Sequence, residues 1–283
     1  MRIVLINGTC FDVEKEIEIK KANIFIEENK IVKISSGRDE EVEKYEKIDL
    51  SGKYIMPGMI DMHQHFMFKR TYGSLWDQMN LSIPALTLRS IKNAIAELRL
   101  GITTVRSGGD KCDIDLALKY MFEKKYLIGP RMIICGRPLA ITGSHVPENF
   151  AQWIDGADEF VKWSRERASK YDWVKIFGSY GIRKPYKGEY QLPEVSHIEL
   201  KAACEAVHAL QKKVMIHCSG SLAVEIAMHA GVDTIEHGTG MTYEQAKYIA
   251  ENNIAYVPTM TAKTETLNPI YDRGAEWIED QRK

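Results

Sequence analysis

From residue 54 onward, short apolar runs alternate with longer amphipathic stretches, and this alternation most limits what the chain can fold into. Helical spacing of apolar residues is clear in 91–98, 197–211, 222–230 and 243–252. Strands that alternate with helices form βα units and a parallel sheet. The strand candidates are 54–60, 102–105, 131–135, 173–177, 214–216, 234–235 and 254–257. About seven strands within residues 54–283 predict an α/β fold of the (β/α)₈ barrel type rather than a doubly wound sheet.

Residues 1–53 have a different pattern, with short β-branched runs at 3–6, 16–19, 23–27 and 30–34. Asn7-Gly8, Glu28-Asn29 and Ser36-Gly37 are turn signals between them. Partial alternation of apolar and polar residues predicts antiparallel strands with one wet face. We therefore expect a small β-domain over 1–53 and the barrel domain over 54–283.

Composition excludes several classes of protein. Lys and Arg number 38 against 39 Asp and Glu, a balance that disfavours a nucleic-acid partner. Five cysteines without a C-x-x-C pair argue against a disulfide framework or a cysteine zinc site. No apolar run reaches the ~18 residues that would span a membrane, and the N-terminus lacks a signal-peptide cleavage site. These features predict a cytoplasmic globular enzyme with no nucleic-acid or membrane partner.

Four histidines follow predicted strands, where barrel enzymes carry their chemistry. His63 and His65 lie two residues apart at the first strand end, so on a strand their side chains point the same way. His217 and His237 each follow a later strand and lie twenty residues apart, about one βα unit. Imidazoles gathered at neighbouring strand ends suit a divalent metal ion.

Lys175 lies inside the apolar run 173–177, where an unpaired lysine is rarely buried. A neutral amine there could react with carbon dioxide, and the resulting carbamate has two oxygens that can bridge two metal ions. The alternative is a lysine whose amine extends from the strand end to solvent.

The motifs resemble the amidohydrolase superfamily, in its prolidase and imidazolonepropionase-like branch. Pro57-Gly58-Met59-Ile60-Asp61-Met62-His63-Gln64-His65 is similar to the superfamily's first-strand signature. Gly101-Ile102-Thr103-Thr104-Val105-Arg106 resembles its second strand, and 230–238 resembles the sixth.

This resemblance implies a (β/α)₈ barrel beside a small β-sandwich-like domain, with a binuclear centre that is usually zinc. The implied ligands are His63 and His65 for one ion, His217 and His237 for the other, and carboxylated Lys175, which bridges both together with a hydroxide. Asp61 would orient the site. The implied reaction is hydrolysis of an amide bond in a small-molecule substrate, a dipeptide or N-acyl amino acid.

Three residues are candidates for contact with substrate. His145 resembles a substrate-facing histidine of prolidase-like members, and we also count it, with Asp61, as a catalytic candidate. Tyr180 and Arg183 follow the fourth strand and could hold a substrate carboxylate. A loop position exposed to solvent is the alternative for each.

The chain departs from the superfamily at the eighth strand, whose terminal Asp shuttles a proton. After residue 261 only 22 residues remain, and they contain no strand that ends in Asp. We therefore expect a C-terminally incomplete barrel that is weakly active and tends to form homo-oligomers. The alternatives are a cyclic-amide hydrolase, an aromatic deaminase, which Lys175 disfavours, and a truncated metal-binding fragment without turnover. Reading the encoding DNA beyond Lys283 would distinguish a fragment.

Overall fold

The computed structural model describes residues 2–68, 75–180 and 192–260, and the chain divides into two compact units between Met59 and Ile60. The strands of the first unit are β1 (Arg2–Asp12), β2 (Ile17–Glu27), β3 (Lys30–Ser36), β4 (Glu46–Asp49) and β5 (Tyr54–Ile55). They form one sheet in the order β3-β2-β1-β4, and β5 also pairs with β1. The pairs β1–β2 and β2–β3 are antiparallel as predicted, whereas β4 and β5 run parallel to β1.

The turn predicted at Asn7-Gly8 is wrong, because β1 continues through it. Asn7 has φ 65°, and the register with β2 shifts between Leu5 and Gly8, so the two residues form an irregularity within the strand. The predicted runs 16–19 and 23–27 are likewise joined in the single strand β2. The Glu28-Asn29 turn is confirmed between β2 and β3.

The second unit alternates strands and helices, which confirms the predicted α/β class. Its strands are β6 (Met59–Gln64), β7 (Ile102–Ser107), β8 (Arg131–Ile133), β9 (Leu139–Ala140), β10 (Gln152–Trp153), β11 (Trp173–Phe177), β12 (Lys213–Ser219), β13 (Thr234–Thr239) and β14 (Ala255–Val257). Its helices are α1 (Leu75–Met79), α2 (Ile83–Arg99), α3 (Ile114–Glu123), α4 (Gly156–Lys170), α5 (His197–His208), α6 (Ser221–Ala230) and α7 (Tyr243–Glu251).

These strands form two sheets with the orders β6-β7-β8 and β10-β9-β11-β12-β13-β14. Strands β11 to β14 are parallel neighbours in chain order, as in a (β/α)₈ barrel. Across the described residues the two sheets do not close into one barrel. The same residues include no helix with the length and apolarity needed to cross a membrane.

The first barrel strand begins later than the predicted 54–60. Residues 54–55 pair with β1, and β6 starts only at Met59. Pro57 separates the two segments, since a proline cannot donate a ladder hydrogen bond. The consequence is that Asp61, His63 and the residues around them make up the strand itself.

Alternation along the central strands separates a helix-facing core from the barrel interior. On β11, Val174 and Ile176 pack in the large core cluster with residues of α4, α5 and α6. Lys175 and Phe177 alternate with them and lie on the other side of the sheet. On β12 the same alternation places Cys218 in that core and His217 opposite.

Capping residues fix where the helices that follow these strands begin. Ser196 and Glu199 form a reciprocal capping box at the start of α5, and Thr242 and Gln245 form one at the start of α7. Gly231 ends α6 with φ 94°. These caps therefore fix the first residues of α5 and α7 and the last residue of α6.

Candidate metal centre

The four histidines predicted as metal ligands lie together at the strand ends of the second unit. His63 is on β6, His65 directly follows it, His217 is on β12 and His237 is on β13. The ring centroids are 5.2 Å apart for His63 and His65, 4.9 Å for His63 and His237, and 4.6 Å for His217 and His237. The rings therefore form one continuous cluster from β6 to β12.

Hydrogen bonds on the outer side of the cluster hold three of the rings by Nδ1. His65 Nδ1 lies 2.6 Å from the carbonyl oxygen of Gly109, and a carbonyl only accepts, so this nitrogen carries the proton. His63 Nδ1 lies 2.6 Å from a carboxylate oxygen of Glu236. His237 Nδ1 lies 2.6 Å from Thr259 Oγ1. Metal-binding histidines are typically held in this way, with the other nitrogen left for the ion.

Burial favours the neutral form of three imidazoles of the cluster, those of His63, His65 and His217. Desolvation lowers the pKa of His65 to about 4 and lowers the pKa values of His63 and His217 well below the ordinary value. The charge of Lys175 is a further cause in all three cases, which places its amine near these rings. Neutral imidazole is the form that binds a metal ion.

Lys175 is buried on β11, with 1% of its surface exposed. Within the part of the chain that the structure describes, its Nζ has no hydrogen-bond partner, and neither does the buried His217 Nε2. Desolvation lowers the pKa of Lys175 to about 8, against a smaller opposing effect of Glu236. Two buried polar atoms without partners, one an amine and one an imidazole nitrogen, are what a site for metal and carbamate would contain.

Gly108, in the loop after β7, lies against the two first-strand histidines. A Cβ placed there would be 2.9 Å from the Nε2 atoms of both His63 and His65, so only a glycine leaves these nitrogens uncovered. Among the described residues, no three His, Cys, Asp or Glu side chains are placed so that they could hold a metal ion as they stand. The fit to metal therefore rests on the donors present: imidazole nitrogens and the buried amine.

A backbone irregularity brings both Glu236 and His237 to the interior. His237 has φ 71°, and the register between β12 and β13 shifts opposite it, between Cys218 and Ser219. Simple alternation would have turned one of the two side chains outward. Glu236 is fully buried and contacts His63, while the His237 ring lies against His63 and His217.

Glu236, Arg106 and Glu194 are residues of the site that the sequence interpretation did not assign a role. Arg106 is 1% exposed on β7 and donates to Glu236 Oε1 at 2.6 Å. The available signal was a charged residue inside an apolar strand, the same signal that singled out Lys175. Glu194 carried no such signal, because it lies outside any strand.

His145 lies beside the same cluster, with its ring centroid 4.9 Å from that of His217 and 5.2 Å from that of Phe177. Glu194 Oε1 accepts from the His145 backbone N–H at 2.7 Å and lies 3.0 Å from its Nδ1. Glu194 Oε2 accepts from Ser144 Oγ at 2.7 Å. This buried carboxylate therefore holds the loop and the ring of His145 next to His217.

The remaining predicted residues lie in different places. Asp61 Oδ1 accepts from the backbone N–H of His63 at 2.9 Å, so it holds the strand and not an imidazole ring. Tyr180 is half-buried after β11 and donates its backbone N–H to Leu192. No contact among the described residues joins the Tyr180 side chain to the histidine cluster. Arg183 lies outside the described residues.

Residues 54–276 match the model of the amidohydrolase family. An uncharacterized protein of Mycobacterium tuberculosis is 29% identical over 210 residues, which are 74% of this chain and 51% of that protein. A 5-methylthioadenosine/S-adenosylhomocysteine deaminase of Bacillus cereus is 23% identical over 285 residues, covering 90% of this chain and 62% of the deaminase. The chain spans about half the length of the first of these curated relatives.

Among solved structures, the chain is similar to a prolidase complexed with N-methylphosphonate-L-proline, with a TM-score of 0.86 and 25% sequence identity. The superposition covers 100% of this chain and 72% of the prolidase chain.

Proposed function

This chain belongs to the amidohydrolase family, and we propose that it hydrolyses the amide bond of a dipeptide or N-acyl amino acid with two zinc ions. The proposed ligands are the four clustered histidines and Lys175, carboxylated, as the bridge between the two ions. The solved prolidase supports this substrate class, because it is a prolidase complexed with N-methylphosphonate-L-proline.

The observation that carries the proposal is the Lys175 amine, which is buried beside His63, His65 and His217 and has no hydrogen-bond partner among the described residues. An ammonium in that place would repel divalent cations. The neutral amine can instead attack carbon dioxide through its lone pair, lose one proton to water and become an anionic carbamate. That reaction replaces a repelling charge by two oxygen donors.

Divalent ions bound there would polarise the amide carbonyl and lower the pKa of water. The residues of the chain supply the rest. The histidines present neutral nitrogens, and the Gly109 carbonyl and the Glu236 carboxylate orient two of them. We propose that His145, which Glu194 holds next to His217, contacts the substrate. Desolvation around these residues strengthens each of these contacts.

An aromatic wall beside the site supports an apolar group on the substrate. Phe68, Phe150 and Phe177 follow one another at ring centroid distances of 5.7 and 6.2 Å. The first of these rings contacts His65 and the last contacts His217. We propose that this wall packs against an apolar side chain or acyl group.

The deaminase relative favours one alternative, in which the same family chemistry removes ammonia from a nucleoside base. Lys175 argues against it, since deaminases of the superfamily use one metal ion and lack the bridging lysine. A cyclic-amide hydrolase remains the second alternative.

The test is to load the purified chain with zinc and to assay Xaa-Pro dipeptides, other dipeptides, N-acyl amino acids, cyclic amides and adenosine derivatives. We expect release of an amino acid from the dipeptides or N-acyl amino acids. His217→Ala should lose this turnover, whereas the helical control His208→Ala should keep it. Ammonia from the adenosine derivatives alone would instead establish the deaminase. Bound zinc without turnover of any substrate would indicate a non-catalytic metal-binding chain.

A further inference from the structure

We propose that Glu236 is a positioning residue that fixes the tautomer of His63, so that Nε2 is the atom offered to a metal ion. The inference rests on the proposed function only in taking His63 as a ligand. It adds a role for a residue that neither contacts substrate nor binds metal.

Both oxygens of the Glu236 carboxylate are used as acceptors. Oε2 lies 2.6 Å from His63 Nδ1, and Oε1 accepts from Arg106 Nη2 at 2.6 Å. Thr234 Oγ1 also donates to Oε1, at 2.5 Å. An ionised carboxylate can only accept, so His63 must donate from Nδ1 and leave its lone pair on Nε2.

Arg106 keeps the carboxylate in this orientation. Its guanidinium is buried and also donates to the carbonyl oxygen of Met62 on β6 and to Thr234 Oγ1 on β13. A guanidinium has five donors and no acceptor, so the oxygen facing it must accept. The second oxygen is thereby directed at His63. Glu236, Arg106 and His63 come from three strands, and together they lock one ring.

Exchanging one atom of Glu236 should reverse this tautomer. In Glu236→Gln the side chain has one accepting oxygen and one donating NH₂ group. Arg106 requires the oxygen, so the NH₂ group faces His63 Nδ1, which must then accept. The ring proton moves to Nε2, the atom that a metal ion would use. Loss of such an outer partner typically lowers metal affinity 10–100-fold.

The experiment has two readouts, and neither is turnover. The first is long-range ¹H–¹⁵N correlation NMR of the metal-free chain labelled in histidine, with the His63 signals assigned from His63→Asn. We expect the Nδ1–H tautomer in the wild type and the Nε2–H tautomer in Glu236→Gln. The second is Zn²⁺ affinity by competition with a chromophoric chelator. We expect Glu236→Gln to bind Zn²⁺ about 10–100-fold more weakly.

Asp233→Asn is the matched control, because Asp233 Oδ2 pairs with His208 Nε2 at 2.9 Å in the same chain, away from the histidine cluster. We expect its Zn²⁺ affinity to equal that of the wild type. Glu236→Asp keeps the charge for Arg106 but draws the carboxylate back, and we expect an affinity between those of the wild type and Glu236→Gln.

The wild-type spectrum does not depend on Glu236→Gln, so it tests the proposal even where that variant does not fold. An Nε2–H tautomer of His63 in the wild type, or a Zn²⁺ affinity unchanged in Glu236→Gln, would overturn the positioning role. So would equal losses of affinity in Glu236→Gln and Asp233→Asn. A chain that meets both expectations yet hydrolyses no amide refutes the proposed function and leaves this inference standing.

Discussion

Replacing Lys175 by methionine should stabilise the metal-free protein at neutral pH while it abolishes the bridged site. The lysine is 1% exposed and its amine has no hydrogen-bond partner in residues 2–68, 75–180 and 192–260, so folding must take an ammonium out of water or remove its proton. Methionine fills a similar volume with an apolar chain. A residue that costs stability and is kept for chemistry is a common feature of active sites.

The magnitude follows from the pKa of Lys175, which burial lowers from 10.5 to about 8. At about 1.4 kcal/mol per pKa unit, the lowered pKa reduces the free energy of unfolding at pH 7 by about 3 kcal/mol, because the unfolded chain holds this proton more tightly. The folded pKa is the lower one, so the unfolded state binds more protons between pH 8 and 10.5. The stability of the wild type therefore rises with pH across that window, and the advantage of Lys175→Met shrinks to about 1 kcal/mol near pH 9.5.

The assay is urea unfolding in the presence of a chelator, at pH 7 and near pH 9.5, for the wild type, Lys175→Met and the surface control Lys201→Met. Lys201 is exposed on α5, and its substitution should change stability by less than about 0.5 kcal/mol at either pH. With saturating zinc the order should reverse, because binding stabilises only the chain that holds the ions. Two results would refute the reasoning that the Lys175 amine is buried and loses its proton more readily on folding. One is a metal-free Lys175→Met that is less stable than the wild type. The other is a stability difference between the two proteins that is the same at both pH values.

Three further results are expected. Zinc-loaded protein exposed to ¹³C-labelled carbon dioxide should give a carbamate carbon signal that Lys175→Met lacks; an identical signal in both would place the carbamate elsewhere. Metal analysis should find less zinc in His217→Ala than in the wild type and an unchanged amount in His208→Ala, whereas equal losses would mean that both act through folding. His145→Asn should keep its zinc and lose about 10²–10⁴-fold in kcat/KM if this side chain takes part in proton transfer; unchanged kinetics would make it a loop residue.

Much of the barrel could be predicted because its signals are local. The apolar run 173–177 is a strand at the same residues, and the helical stretches at 197–211 and 243–252 begin where capping boxes start α5 and α7. The strand-end histidines could be singled out because the carboxyl ends of parallel strands share one edge. Their contact in space follows from that topology.

The parts that could not be predicted depend on contacts distant in sequence. The first strand was placed too early because residues 54–55 are apolar, yet their partner is β1. Asn7-Gly8 has the composition of a turn, but pairing on both sides draws it into a strand. Glu194 could not be assigned because its partners, Ser144 and His145, are some fifty residues away.

The register shift on β13 explains how His237, which was identified from its place at a strand end, and its neighbour Glu236 both reach the interior. Strict alternation allows one of two adjacent residues to face the interior, and a histidine is the more familiar ligand. The φ of 71° at His237 breaks the alternation, so the carboxylate and the imidazole both face inward. A backbone conformation that is costly for a non-glycine residue persists only where its surroundings hold it. Here the Tyr256 hydroxyl donates to the His237 carbonyl at 3.0 Å, and Thr259 Oγ1 lies against its Nδ1. The strain at His237 thus lies where an orienting carboxylate and a candidate metal ligand come from consecutive residues.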